Sequence, residues 1–172
     1  MHNLVAYPKS PLPRGFQQAA LPSFQDEEAV KLSPAVFQAV CHNLRVFPTI
    51  DLFASHSLRQ LDLYYTADPC DICAAGFNAL DYYWHDDHLL FVNPPWTLID
   101  AVLRKICTEH STALLVTPAW TGAPWWPTLQ RITQRNFFWK SPLYLDAEGR
   151  LRPRPRWTTV LSLVKGRATS LL

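Results

Sequence analysis

The apolar residues of this chain fall into short runs separated by proline- and glycine-bearing turns, and two periods alternate along it. Leu89-Leu90-Phe91-Val92 is an apolar run that ends on Asn93-Pro94-Pro95-Trp96. Such a run, bounded by a turn, reads as a buried strand. The prolines stop it, because proline has no amide proton for a ladder and pushes the residue before it out of the helical region. An amide and an indole are thereby carried into a stiff turn at the strand's carboxyl end. Thr112 to Thr117 is a second near-continuous apolar run, as strands of a parallel sheet are. Val46 to Phe53 and Leu61 to Thr66 are shorter strand candidates.

Helical periods lie between these runs. Ser33-Pro34 places a capping hydroxyl before a proline at the first helical position, and Val36, Phe37, Val40 and Leu44 follow near a 3.6 period. Leu98, Ile99, Val102, Leu103 and Ile106 form a second stripe, with Arg104 and Lys105 expected on its outer face. Leu129 and Ile132 continue a third. Phe137 to Val164 reads as two strands around the turn Asp146-Ala147-Glu148-Gly149, a C-terminal antiparallel hairpin. Strands alternating with helices predict an α/β fold with a mostly parallel sheet.

Composition adds bounds. Residues 1–28 carry Pro8, Pro11, Pro13 and Pro22 without an apolar period, so they read as an extended arm or linker, and residues 29–172 as the folded domain. A chain of 172 residues that is 48% hydrophobic can bury a sizeable core. No run approaches the roughly 18 apolar residues of a membrane span, so no membrane partner is expected. Met1-His2-Asn3-Leu4 lacks the regions of a signal peptide, and four cysteines do not suggest a disulfide framework. A reducing, intracellular compartment is expected, with nucleus and organelle both open. The net charge of +2 is too mild for a general pull on polyanions.

Four groups of residues carry candidate chemistry. The Asn93 side-chain oxygen and the Pro94 carbonyl can each accept one N–H of an exocyclic amino group, while Trp96 stacks on its base at roughly 1–3 kcal/mol. The bland alternative is a rigid, apolar strand-to-helix corner. Trp120 and Trp125 lie in a Pro/Gly-rich loop, where they either stack a flipped base or pack in the core. Arg150, Arg152, Arg154 and Arg156 alternate with Leu151, Pro153 and Pro155, which makes either a phosphate-contacting ridge or a charged, proline-blunted edge. Cys70 and Cys73, then His85 and His88 after eleven intervening residues, approach a Cys2His2 zinc pattern, although the histidine spacing is tight. No metal is favoured; the competing reading is a loop cysteine pair and a solvated histidine turn.

Asn93-Pro94-Pro95-Trp96 resembles the Asn/Asp-Pro-Pro-aromatic motif of amino-methyltransferases that use S-adenosylmethionine. The chain around it is similar to the phage DNA N6-adenine methyltransferase (Dam-like) family, and most to the methyltransferase-like region of DIRS-type tyrosine-recombinase retrotransposons. The matching pieces run in order over about residues 30 to 165: Leu32 to Phe37, Ile50 to Ser55, Tyr64-Tyr65, Asn78-Ala79-Leu80 with Trp84, Asn93 to Trp96, and Leu114 to Trp120 with Pro124-Trp125-Trp126. The resemblance implies a Rossmann-like methyltransferase fold with helices on both faces of the sheet. It implies that Pro34 helps cover the cofactor, that Asp51, Phe53, Ala54 and Ser55 form the cofactor loop, and that Asn78 meets the cofactor adenine. Ala54 and Ser55 stand where the fuller loop has glycines, Ser55 is also a candidate helix cap, and Asn78 replaces an aspartate.

The resemblance further implies methyl transfer to the amino group of a flipped adenine, with Asn93, Pro94, Pro95 and Trp96 as the catalytic turn. The partner implied is nucleic acid, DNA in preference to RNA. The alternative is an inactive descendant of that fold, a nucleic-acid-binding or structural subunit that joins a larger nucleoprotein assembly through its arm.

Overall fold

A computed structural model describes residues 30–167, so the arm expected over residues 1–28 lies outside the described residues. Strand β1 (Lys31–Leu32) leads into helix α1 (Pro34–Leu44), followed by β2 (Ile50–Ala54), β3 (Tyr64–Thr66) and β4 (Gly76–Phe77). Strand β5 (Leu89–Val92) enters α2 (Ile99–Glu109), and β6 (Thr112–Pro118) enters α3 (Trp126–Ile132). The remaining strands are β7 (Thr133–Trp139), β8 (Tyr144–Leu145) and β9 (Thr159–Lys165). Seven strands form one sheet in the order β4-β3-β2-β5-β6-β9-β7, while β1 and β8 pair as a separate antiparallel ribbon. The strands from β4 to β6 are parallel, as the alternating pattern predicts.

Side-chain alternation sets the layers. Leu90, Val92, Ala113 and Leu115 point to the face covered by Ile99, Val102, Leu103 and Ile106 of α2 and by Leu129 and Ile132 of α3. Phe91, Leu114 and Val116 point the other way, onto Val36, Val40, Cys41 and Leu44 of α1. Helices therefore cover both faces. Helix α1 starts as its sequence directs: Ser33 Oγ accepts the Val36 N–H at 3.2 Å, and Pro34 is the first helical residue.

The two C-terminal strands are antiparallel as expected, and the later one, β9, runs between β6 and β7. Its residues Thr159 to Val164 are all buried, whereas Gln134 to Asn136 of β7 are exposed. The apolar strand takes the interior and the polar one the rim. Just past β9, a Cβ on Gly166 would stand 1.9 Å from the Ile106 carbonyl oxygen, so glycine alone lets the chain cross α2 there.

Two expectations are corrected. Strand β2 begins at Ile50, not Val46, because Pro48 cannot donate to a ladder and Val46 packs in the α1 cluster. Lys105 is not on an outer face: it is 6% exposed, 2.6 Å from Glu109 Oε1, with its ammonium 5.4 Å from the centre of the Trp84 ring. The other Glu109 oxygen accepts the Trp84 N–H at 2.7 Å, and Ser111 donates to the Trp84 carbonyl at 3.0 Å. Charge and indole together satisfy what burial takes from water. Replacing Lys105 by Met leaves Glu109 buried without its cation, which is expected to cost about 3–5 kcal/mol. Urea unfolding of Lys105→Met measures this, and a midpoint equal to wild type would show that the pair contributes nothing.

Candidate functional site

From β2 the chain builds outward to β3 and β4, then returns to lay β5 and β6 on the other side of β2. Strand order reverses at the β2–β5 pair, where Ile50 sits beside Leu90 and Asp51 beside Phe91. In open α/β sheets the crevice outside the carboxyl ends at such a switch point is where ligands bind. The residues leaving β2 and those leaving β5 are the two stretches singled out in the sequence.

On the β2 side, Asp51 is 2% exposed. Its Oδ1 accepts the Phe53 N–H at 3.3 Å and its Oδ2 the Gln60 N–H at 2.8 Å, which ties the far end of the following loop back to the strand. Loss of solvation pushes the Asp51 carboxyl up to about 6, against the pull of those two amide hydrogen bonds. Phe53 packs edge-on against Trp84 at 6.4 Å. Ser55 caps a turn and not a helix: its Oγ accepts the Leu58 N–H at 3.3 Å. Pro34 lies exposed at the start of α1.

On the β5 side, Pro94 is buried, Asn93 is half-buried and Pro95 is exposed. Trp96 opens a single 3-10 turn that runs directly into α2. Among the described residues the Asn93 amide has no side-chain hydrogen bond. Trp96 and Trp120 are brought together, their rings 5.2 Å apart and nearly perpendicular. A third indole, Trp157, joins them from the approach to β9, 4.5 Å from Trp96. Its ring nitrogen is buried without a partner. No spacing signal marks Trp157, because it reaches the site only through the insertion of β9 beside β6.

Asn78 follows β4 at the same end of the sheet. It holds a left-handed backbone, φ 57°, which asparagine tolerates, and its amide donates to Asp81 Oδ2 at 2.6 Å. A carboxylate therefore stands beside Asn78, three residues on in the chain. Asp81 could have been found as an acidic residue within the same turn.

Other expected groups do not assemble. Trp125 is 4% exposed and packs in the α2–α3 core, so of its two readings the structure shows core packing and not base stacking. Arg150 is ion-paired within its own loop, 2.8 Å from Asp146 and 3.1 Å from Glu148, while its side chain stays 72% exposed. The Arg150 backbone N–H, ahead of its guanidinium, holds the Asp146 carboxyl below the usual range. Of the four arginines, Arg150, Arg154 and Arg156 are exposed and Arg152 is half-buried, and the Arg150 charge is met by the two acids of its own loop. Cys70, Cys73, His85 and His88 do not converge. The His85 ring packs on Tyr83, and His88 faces the Thr49 hydroxyl at 3.5 Å.

One cavity of about 330 Å³ opens between Lys31 and the His56–Asp62 loop, and another of about 270 Å³ lies where α3 meets β7 and β9. Neither is lined by Asn93–Trp96. No protein-family model and no curated protein matches the chain.

The Asp51 carboxyl titrates higher in the folded than in the unfolded chain, so the fold binds its proton more tightly. Its contribution to stability is fully present below about pH 4 and falls as pH rises toward 6. A shift of this size corresponds to about 3 kcal/mol. Asp51→Asn is expected to remove this slope. Unfolding free energies of both proteins between pH 4 and 7 check it, and parallel pH profiles would refute it.

Proposed function

We propose that the chain is an S-adenosylmethionine-dependent amino-methyltransferase of Rossmann-like fold that acts on the N6 amino group of adenine in DNA. The observation that carries this reading is the meeting of the Asp51–Ser55 and Asn93–Trp96 stretches at the β2–β5 switch point. A half-buried amide without a protein partner suits the task, because a ligand N–H can take its oxygen. The cofactor supplies an electrophilic methyl group when bound. Asn93 and the Pro94 carbonyl accept the two N–H groups of the target amine and aim its lone pair. Orientation of this kind is worth several kcal/mol. Trp96 and Trp120 offer an aromatic wall for an extruded base. Asp51 holds the cofactor loop in shape, Pro34 helps cover the cofactor, and Asn78 with Asp81 stands at the adenine end. Arg154 and Arg156 are the exposed cations left to meet phosphate.

A second reading has its own support. Trp96 is packed edge-on between two other indoles, the Asn78 amide is already occupied by Asp81, and Ala54 and Ser55 replace glycines. These features favour an inactive scaffold that binds nucleic acid or serves a larger assembly through its arm.

Calorimetric titration with S-adenosylmethionine separates the two. Heat of binding at micromolar cofactor, with methyl transfer to adenine-containing DNA that falls about 100-fold in Asn93→Ala, is expected of the enzyme. No heat at high micromolar cofactor, with DNA binding intact, would leave the scaffold. Equal methylation by wild type and Asn93→Ala would remove Asn93 from the chemistry.

A further inference from the structure

The loops after β2 and β3 gather a group of side chains that neither methyl transfer nor nucleic-acid binding uses. We propose that His56, Asp71 and Cys73 form a binding site for a zinc ion. One donor atom from each lies within 4.8 Å of the other two. His56 stands just past the carboxyl end of β2, while Asp71 and Cys73 belong to the β3–β4 connection, so the site joins two loops that are separate in sequence.

The donors are held by their surroundings. Tyr64, 2% exposed, aims its hydroxyl at both Asp71 oxygens, 3.0 and 2.9 Å away. The same hydroxyl faces His56 Nδ1 at 3.4 Å, so one buried phenol indexes two of the three donors. The Cys73 N–H donates to Asp71 Oδ1 at 3.0 Å, which fixes the carboxylate against the cysteine's own backbone. Arg59 donates to the His56 carbonyl and lies 5.7 Å from the Tyr64 ring centre, securing the histidine from behind. Outer hydrogen bonds of this sort orient metal ligands and tune their affinity.

Chemistry selects the ion. A thiolate, an imidazole and a carboxylate are the donor types of zinc, whereas calcium and magnesium call for oxygen alone. Thiolate and carboxylate together balance a dication. Three protein ligands leave the fourth tetrahedral position to water. The grouping differs from the Cys2His2 spacing visible in the sequence: of those four residues only Cys73 takes part. Zinc here would pin the loop that follows Asp51–Ser55 to the β3–β4 connection, stiffening one wall of the crevice.

The test uses zinc and cobalt(II) alone, so its outcome is independent of the methyl-transfer reading. Protein stripped with chelator and dialysed against zinc chloride should retain one zinc per chain by plasma mass spectrometry. Cobalt(II) should give a thiolate-to-cobalt charge-transfer band. Cys73→Ser should abolish that band, and Cys73→Ser and His56→Asn should each weaken zinc at least about 100-fold against a chromophoric chelator. Tyr64→Phe should weaken it about 10–100-fold with stoichiometry kept. Cys70→Ser and His85→Ala should change neither readout. Both replaced ligands are exposed, circular dichroism checks each fold, and should one variant misfold the other decides. A wild-type chain without zinc or cobalt band overturns the proposal, as does zinc lost in Cys70→Ser and His85→Ala but kept in His56→Asn.

Discussion

The pairing of β5 between β2 and β6 is the constraint on which the rest of the structure depends. Leu90, Phe91 and Val92 are almost wholly buried, and their alternation commits α2 and α3 to one face and α1 to the other. Because the side-chain period is two, a one-residue slip would turn each of these side chains to the wrong layer. The register Asp51 beside Phe91 is therefore held by packing on both faces. That register brings the Asp51 loop and the Asn93 turn out at one place. The site's position follows from the core's geometry, and its own contacts only refine what that register sets.

Around this centre, buried polar groups bind the periphery to the sheet. Asp51 fixes the loop after β2 through the Gln60 amide, and Glu109 fixes the segment before β5 through the Trp84 backbone. In each case a carboxylate gives up water and recovers hydrogen bonds from a chain segment that has no strand or helix to order it. Such segments are otherwise costly to immobilise. The price of the arrangement is visible in Asp51, whose proton affinity rises on folding.

Much of the fold was legible because periodicity and punctuation agree. Ser33-Pro34 starts a helix, Asn93-Pro94-Pro95 ends a strand, and the apolar run at Thr112 continues through Pro118 as a central strand. What was not legible depended on distant partners. Lys105 reads as a surface residue from its own helix; the Glu109 carboxylate and the Trp84 ring, the latter on another segment, together make its burial tolerable. Trp120 and Trp125 share one loop and one composition, yet the direction of α3 sends Trp125 inward while Trp120 meets Trp96. Cys73 was visible as half of a pair, but its neighbours His56 and Asp71 are chosen by the Tyr64 hydroxyl, not by spacing.

The placement of β9 has a consequence for how the molecule is made. Among the described residues, strand β7 pairs with β9 alone within the main sheet, and β6 gains its second neighbour through the same strand. During synthesis from the amino end, both wait with open edges until residues 159–165 have emerged. Non-local pairing of this kind is slow, and unsatisfied strand edges in the interval invite association with other chains. Until β9 arrives, the β6–β7 side of the sheet stays unfinished, and that one segment closes both gaps at once.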